Sequence, residues 1–421
     1  MHHTYPLTTA TLDNGLRVVV NPDPWVSGVA VNLWYDVGSF HEQAGKTGFA
    51  HLFEHLMFSG SAHVGPGEFD LGLQEIGGTS NASTSFDNTN YYEVVPAAGV
   101  ELALWMEADR LSSLLEGVDQ TNLDTQREVV KEEKRQRYDN VPYGDCFDRI
   151  MKLVFPAGHP YAHLPIGSME DLDHASLDDV HQFFHHHYTP TNLILGLSGA
   201  IQPETAIGLV RRHFGDIPAG TTPTLPNTPM LAPMTDLRRE TVESDVPQDV
   251  LYCCWLVPPN TDETTDPLGL DLAMLSGSMT SRLHEALVRP GLADTADAFD
   301  LGLSHGNSLV VASVACAESV SLATLEEATM QAWGDFCDQG PTEDELERVK
   351  KNEERDFLLD CATPKARAEH LCEACGLYGD PDELNRHLDI VDALDTTATA
   401  KVARQWLRPE QRATLTYRRQ R

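Results

Sequence analysis

Long uninterrupted hydrophobic runs are missing from this chain of 421 residues. No stretch approaches the roughly 18 apolar residues that a membrane-spanning helix requires, so the sequence predicts no membrane segment. The first residues also lack the basic region and the apolar run that are typical of a secretory signal peptide. We therefore expect a cytoplasmic protein that does not enter a membrane.

Basic residues are scarce as well, with 30 Lys and Arg against 64 Asp and Glu and a formal net charge of −34. This charge argues against nucleic acid as a partner, because the phosphate backbone would be repelled. It is compatible with two other interpretations. The acidity attracts basic peptide substrates, or it is an acidic surface that favours solubility or adaptation to salt.

Cysteine is present at only eight positions, and we expect these thiols to be reduced. Cys372 and Cys375 form a single Cys-x-x-Cys with His370 nearby, but no second pair accompanies them, so a zinc site there is the less favoured alternative. The run 185–187 consists of three histidines at the end of a predicted helix, and an exposed helix end is the preferred interpretation.

The pattern with the most chemical content is His-x-x-Glu-His at His51, Glu54 and His55. Positions i and i+4 of a helix share one face, so both imidazoles can reach one cation, with Glu54 beside it. Two histidines and a carboxylate suit a Zn²⁺ ion that activates water, and this order of residues is the inverzincin signature. The surrounding residues are apolar nearly all round the helix: Phe49, Leu52, Phe53, Leu56, Met57 and Phe58. A buried helix is predicted, on which charged groups need partners or a metal.

A third protein ligand is expected from an acidic helix further along the chain. Val129 and Val130 are the apolar markers of its inward face, and Glu133 shares that face at i+4 and i+3. Glu132 points further toward solvent and remains the alternative ligand. Gln126 lies seven residues before Glu133 on the same face and could orient it by a hydrogen bond.

With these motifs, the chain resembles the pitrilysin family of zinc peptidases, in the short-chain branch that includes mitochondrial processing peptidase and its bacterial relatives. The segments that carry the resemblance are the hairpin at 12–20, the metal helix at 48–60, the strand at 77–85, the ligand helix at 126–135, and landmarks at 159–161 and 188–192. Two departures stand out. His55 and Glu133 are 78 positions apart, slightly more than is usual in the family, and Gln126 stands where many relatives carry Glu.

The resemblance implies a zinc endopeptidase that cleaves extended peptides or unfolded leader-like segments in an enclosed chamber. It implies that His51, His55 and Glu133 hold one Zn²⁺ per chain, and that Glu54 is the catalytic base. It also implies that Asn81 and Ala82 contact the peptide substrate, on a strand edge that pairs with the extended backbone.

One family feature is absent. Many relatives carry in their second domain an Arg and, seven residues later, a Tyr that reach the active site. Here Arg289 is followed at that distance by Ala296, and no Tyr occurs between Glu285 and Asp300. The resemblance therefore suggests a heterodimer with a zinc-less paralogous subunit that supplies the Arg–Tyr pair. A non-catalytic binding or scaffold subunit is the alternative, although the residues of the metal pattern are retained.

The chain reads as two similar halves. Residues 29–37 and 250–258 are comparable strand-like runs, and 48–60 corresponds to 269–277. In the second copy, Leu272, Leu275 and Ser276 stand near the ligand positions. A Pro/Thr-rich linker at about 219–234 separates a catalytic zinc-binding domain at 1–218 from a degenerate, non-metal-binding homologous domain at 235–421.

Each half mixes short strand-like runs with longer helical patterns. Strands are predicted at 17–20, 30–35 and 193–197, and helices at 99–115, 177–187 and 343–359. Hairpin-like strands followed by pairs of helices favour an α+β fold. We predict two structurally similar, duplicated α/β-sandwich domains, each with an antiparallel-rich sheet packed by helices.

Overall fold

The computed structural model describes residues 2–420. Its strands are β1 (Thr8–Thr11), β2 (Arg17–Pro22), β3 (Gly28–Tyr35), β4 (Thr79–Thr84), β5 (Thr89–Pro96), β6 (Leu193–Gly199), β7 (Arg238–Ser244), β8 (Val250–Val257), β9 (Ala293–Asp300), β10 (Ser308–Cys316) and β11 (Ala413–Arg419). Its α-helices are α1 (Phe49–Leu56), α2 (Glu68–Glu75), α3 (Val100–Gly117), α4 (Gln120–Lys134), α5 (Cys146–Val154), α6 (Met169–His174), α7 (Leu177–His187), α8 (Pro203–Phe214), α9 (Thr265–Ser276), α10 (Leu322–Gln339), α11 (Glu343–Asp360), α12 (Pro364–Leu377), α13 (Glu383–Ala393) and α14 (Thr396–Trp406).

The strands form two sheets with closely related topology. The first has the order β1-β2-β6-β3-β5-β4, in which β2 and β6 are parallel and all other neighbours are antiparallel. The second has the order β7-β11-β8-β10-β9, in which β7 and β11 are parallel and the remaining pairs are antiparallel. Each sheet therefore carries one parallel pair toward one side. The predicted α+β class and the antiparallel-rich sheets are confirmed.

The chain folds into two compact units that are not contiguous halves. One unit combines the chain up to Arg135 with His163–Pro226 and Phe357–Arg386, and the other contains Gln136–Ala162, Asn227–Asp356 and the chain from His387 onward. The domains predicted from the sequence, 1–218 and 235–421, differ from these units in two segments. Helix α12 packs on β2, β3 and β6 of the first sheet, and α5 packs on β7, β8 and β11 of the second. Each sheet is thus covered by a helix from the other half of the chain.

A buried arginine fixes α12 on the first sheet. Arg367 is 4% exposed, and its guanidinium donates to Oδ1 of Asn21 at 2.9 Å and to Oδ2 of Asp23 at 2.6 Å. It also donates to the carbonyl oxygen of Cys361 at 2.9 Å. A buried guanidinium is tolerated only when its donors are satisfied, so these bonds specify where the helix sits.

Helix α1 is short, and the residue directly before it, Gly48, has to be glycine. Gly48 has φ of 90°, and a Cβ at this position would lie 2.9 Å from the carbonyl oxygen of Ile166. Only glycine adopts this backbone conformation without strain. The helix buries Phe49, Leu52, Phe53 and Leu56, as predicted. It ends at Leu56, so Met57 and Phe58 of the predicted set lie beyond it, and Phe58 is only half-buried.

The second unit has its own apolar core, in which the rings of Trp255 and Trp333 are stacked with their centroids 4.3 Å apart. Leu272 and Leu275 of α9 are buried in the same core. Among the described residues, no helix combines the length and the apolar character needed to cross a membrane.

Candidate metal centre

Two neighbouring helices of the first unit bring three metal-binding side chains together. His51 and His55 lie one turn apart on α1, with ring centroids 4.8 Å apart. Glu133 comes from α4, which packs against α1. Its Oε2 lies 3.7 Å from Nε2 of His51 and 3.4 Å from Nε2 of His55. All three side chains are partly buried at this point of contact.

The geometry fits a zinc ion. One donor atom from each of the three residues lies within 4.8 Å of the others. Tetrahedral Zn²⁺ with bonds of about 2.0–2.2 Å separates its donors by about 3.3–3.6 Å, so small movements would complete the site. Three protein donors leave a fourth position for water or substrate. Within residues 2–420 this is the one cluster of at least three His, Cys, Asp or Glu side chains with such spacing.

The structure separates the two glutamates that the sequence left as alternatives. The side chain of Glu132 is 54% exposed and pairs with Arg135 at 3.1 Å, away from the histidines. Glu133 lies three residues after Val130, which is fully buried. The prediction that Val129 also faces inward is wrong, because its side chain is 44% exposed. Of the two valines that the sequence analysis placed on the inward face of α4, only Val130 is buried there.

Glu54 lies between the two histidines in sequence and is held by the first sheet. The hydroxyl of Thr84, the last residue of β4, donates to Oε2 of Glu54 at 2.6 Å. A carboxylate in this place, three residues after His51 and directly before His55, can accept a proton from a water molecule at the site. The sequence analysis did not identify Thr84, since its contact with Glu54 depends on how α1 packs against β4.

The predicted substrate strand β4 is the terminal strand of the first sheet, which leaves one of its edges open to another strand. Side chains alternate along a strand, so Ala82 shares the face of Thr84 while Asn81 lies on the opposite face. Oδ1 of Asn81 accepts a hydrogen bond from the backbone N–H of Ala82 at 2.9 Å. The two predicted substrate residues are thus linked to each other, and only Ala82 faces the side of Glu54.

Gln126 does not have the contact that was expected of it. The residue lies on α4 and is half-buried, but its side chain makes no hydrogen bond to Glu133 among the contacts of the described residues. Because Gln126 is two turns away from Glu133, a hydrogen bond would require an extended side chain between them. Support for the metal helix comes instead from a different residue.

That residue is Glu42, whose fully buried side chain receives the N-terminus of α1. Its carboxylate accepts from the N–H of Gly48 at 2.9 Å and from the N–H of Ala50 at 2.7 Å. Nε2 of His163 lies 2.9 Å from Oε2. Burial raises the pKa of Glu42, and the hydrogen bond with His163 opposes that rise. An acidic residue shortly before a helix can be recognised in the sequence as a group that stabilises the helix N-terminus. Nothing in the sequence around His163 indicates that it contacts Glu42.

Other candidate metal residues are engaged elsewhere. Nε2 of His370 lies 2.5 Å from Oδ2 of Asp360. The pKa of His370 is raised to about 9, chiefly by its hydrogen bond with Glu373. All eight cysteines, including Cys372 and Cys375, are buried with free thiols.

The second unit holds none of the features of the metal centre within the described residues. At the ligand-equivalent positions of α9, Leu272 and Leu275 are buried and Ser276 is half-buried, so no pair of imidazoles stands there. Arg289 forms an exposed ion pair with Glu285 at 2.7 Å, and Ala296 belongs to the edge strand β9. This part of the chain therefore has the arginine of the missing Arg–Tyr pair at its surface, without the tyrosine.

Comparisons with known proteins place these features in a family. Residues 17–153 match the model described as insulinase, peptidase family M16, and residues 174–353 match the M16 peptidase inactive domain. The zinc protease PqqE of Helicobacter pylori is 31% identical over 388 residues, which cover 88% of this chain and 82% of that protein. The β subunit of the mitochondrial processing peptidase of Lentinula edodes is 26% identical over 216 residues, covering 51% of this chain and 45% of that protein.

Solved structures agree in fold. A protease from Helicobacter pylori superposes with a TM-score of 0.91 at 26% identity, covering 99% of this chain and 100% of the other. An M16-like peptidase from Alicyclobacillus acidocaldarius has a TM-score of 0.85 at 17% identity over 99% of both chains, which shows the shared fold alone. From the matches along both halves and the extent of the similarity to PqqE, this chain belongs to peptidase family M16, the insulinase family.

Proposed function

We propose that this chain is a zinc-dependent endopeptidase that cleaves extended peptides or unfolded leader-like segments and uses one Zn²⁺ per chain. The observation that carries the proposal is the meeting of His51, His55 and Glu133 within 4.8 Å, with Glu54 on the same helix as the histidines. The names of relatives as zinc proteases support it.

The protein side chains divide the work of peptide hydrolysis. When bound, the zinc ion lowers the pKa of the attacking water and polarises the scissile carbonyl. Glu54 accepts the proton of that water and delivers it to the departing amine. Thr84 holds one oxygen of the Glu54 carboxylate by its 2.6 Å hydrogen bond and so limits the orientations of the base. His51, His55 and Glu133 hold the ion.

The substrate class follows from the open edge of β4. An extended peptide can pair with this strand through main-chain hydrogen bonds, which select for extended backbone more than for side chains. The N–H of Ala82 is one donor for such pairing, and the side chain of Asn81 has to release it first. The net charge of −34 favours basic peptides among the possible substrates.

A second subunit is part of the proposal. The residues between Glu285 and Asp300 include no tyrosine, so this stretch cannot donate both members of the Arg–Tyr pair. A zinc-less paralogous chain with that pair would complete the active site, and we place the heterodimer in the cytoplasm.

Glu54→Gln tests the assignment of the base. The zinc-loaded variant should keep its metal content, since the ligands are unchanged, and should lose about 10²–10⁴-fold in turnover of a quenched fluorescent peptide library. Glu132→Gln is the matched control, because it removes an equivalent charge at an exposed position. Near-normal turnover by zinc-replete Glu54→Gln would refute the role of Glu54. A chain that binds zinc but cleaves nothing, alone or with its paralogue, would favour a scaffold subunit.

A further inference from the structure

A second group of histidines lines a cavity of about 580 Å³ in the first unit. The cavity lies against the Ser39–His41 turn, the start of α1, and α7. Its histidines are His41, His181, His185, His186 and His187. We refer to it as the histidine pocket. None of these five side chains belongs to the candidate metal centre of His51, His55 and Glu133.

Two of these histidines have the spacing of a helical metal-binding pair. His181 and His185 lie four residues apart on α7, and both are exposed. Residues at i and i+4 share one helix face, so their imidazoles can converge on one ion from the same side. The same spacing brings His51 and His55 together on α1.

The inner wall of the pocket holds a neutral imidazole. His187 is 5% exposed, and its Nδ1 has no hydrogen-bond partner among the described residues. Burial, and to a lesser degree the neighbouring His41 and His186, lowers the pKa of His187 to about 3. The rings of His41 and His187 meet edge to face with centroids 5.9 Å apart. His187 lies two residues after His185, so its imidazole faces another side of α7 and is not a third ligand for the exposed pair.

The carboxylates that line the pocket are already engaged. Asp179 pairs with Lys46 at 2.7 Å, and Glu42 accepts hydrogen bonds from the start of α1. Hard cations such as Ca²⁺ and Mg²⁺ need several oxygen ligands, which these groups are not placed to supply. Imidazole nitrogens favour zinc, nickel and copper instead.

We propose that the histidine pocket binds a second divalent transition-metal ion, held by His181 and His185 at its mouth. With two protein ligands, and water completing the coordination, this ion binds more weakly than an ion held by three protein ligands.

Occupation of this site affects the helix next to the metal centre. Phe183 lies between the two proposed ligands in sequence, and its ring packs against Phe49 and Phe53 of α1 at centroid distances of 5.9 and 5.4 Å. An ion that joins successive turns of α7 stabilises that helix, because it binds the folded state alone. The stabilisation reaches α1 through these phenylalanine contacts.

The test uses Ni²⁺ as the probe and the full chain. A His51→Ala/His55→Ala variant lacks the histidines of the first site, so an ion that it retains in equilibrium dialysis is bound elsewhere. We expect one Ni²⁺ per chain in this background and a rise in melting temperature on adding nickel. Adding His181→Ala and His185→Ala should abolish both effects. His174→Ala, an exposed histidine on α6 outside the pocket, is the matched control and should leave both unchanged.

Two outcomes overturn the proposal: a folded His51→Ala/His55→Ala chain that binds no Ni²⁺ at millimolar concentration, or binding that survives the loss of His181 and His185. If the background variant does not fold, the wild-type chain should bind two ions and His181→Ala/His185→Ala one, and equal stoichiometry would refute the site. Because every readout is metal binding or stability, failure here leaves the proposed peptidase activity untouched, and loss of that activity leaves this test valid.

Discussion

The hydroxyl of Thr84 donates a 2.6 Å hydrogen bond to the carboxylate of Glu54. Thr84 is the last residue of the open-edged strand β4, and Glu54 lies on the helix that carries both histidines. The proposed base and the proposed substrate strand are therefore connected directly. A peptide that pairs with β4 would bind to the same strand that orients the base.

Removal of this hydroxyl should impair turnover more than zinc binding. Thr84→Val takes one hydrogen bond from an ionised carboxylate, and such bonds contribute about 1.5–3 kcal/mol. We expect kcat to fall by about 10- to 100-fold if most of that energy is lost in the transition state. Thr84→Ser retains the hydroxyl and should keep most of the activity. Metal analysis and steady-state kinetics on both variants check this, and a Thr84→Val enzyme with normal kcat would contradict it.

Glu133 and Glu132 provide a direct comparison of neighbouring side chains. Loss of a residue that only orients a metal ligand typically lowers metal affinity about 10- to 100-fold. Glu133 is itself a proposed ligand, so we expect Glu133→Gln to weaken zinc binding by more than about 100-fold. Glu132→Gln should leave zinc affinity unchanged, because that side chain points to solvent and pairs with Arg135. Competition with a fluorescent zinc chelator measures both affinities. The reverse order would move the third ligand to Glu132.

Glu42 is expected to hold the metal helix in place. Glu42→Ala leaves the N–H groups of Gly48 and Ala50 and the ring of His163 without their acceptor, and each buried group left unsatisfied costs about 1–3 kcal/mol. We expect a lower free energy of unfolding in urea for the metal-free protein, and weaker zinc binding. Gln43→Ala, at the exposed neighbouring residue, is the control. Unchanged zinc affinity in a destabilised Glu42→Ala protein would limit Glu42 to a structural role.

The missing Arg–Tyr pair predicts a dependence on a second chain. The isolated protein should bind zinc yet cleave peptides slowly, because loss of an oxyanion donor costs about 10²–10³ in turnover. Co-expression with a paralogue that has the pair but lacks His-x-x-Glu-His should restore the rate. Peptide turnover with native mass measurements tests this. Rapid cleavage by a preparation shown to contain a single polypeptide would contradict the heterodimer.

Local spacing in the sequence was enough for several features of the molecule. The helix predicted at 177–187 coincides with α7, and the helix predicted at 343–359 differs from α11 by one residue. The strand predicted at 193–197 lies within β6. His51 and His55 share a face for the same reason, because the helical period alone determines which residues lie above one another.

Contacts between distant parts of the chain were decided by tertiary packing. Glu133 meets the histidines because α4 packs on α1, and the exposed Val129 shows that the sequence indicated the inward face only approximately. The hydrogen bond between Glu42 and His163 spans 121 positions and has no periodic signal.

The exchange of α5 and α12 between the two sheets is the clearest case. The sequence of an amphipathic helix shows which face will be buried, but not which sheet that face will pack against. For α12, the choice rests on Arg367, whose partners Asn21 and Asp23 lie more than 340 positions earlier. The sequence determined the elements and the residue types of the metal centre. Only packing determined which elements meet, since burial of apolar faces is non-directional until specific buried polar contacts select one arrangement.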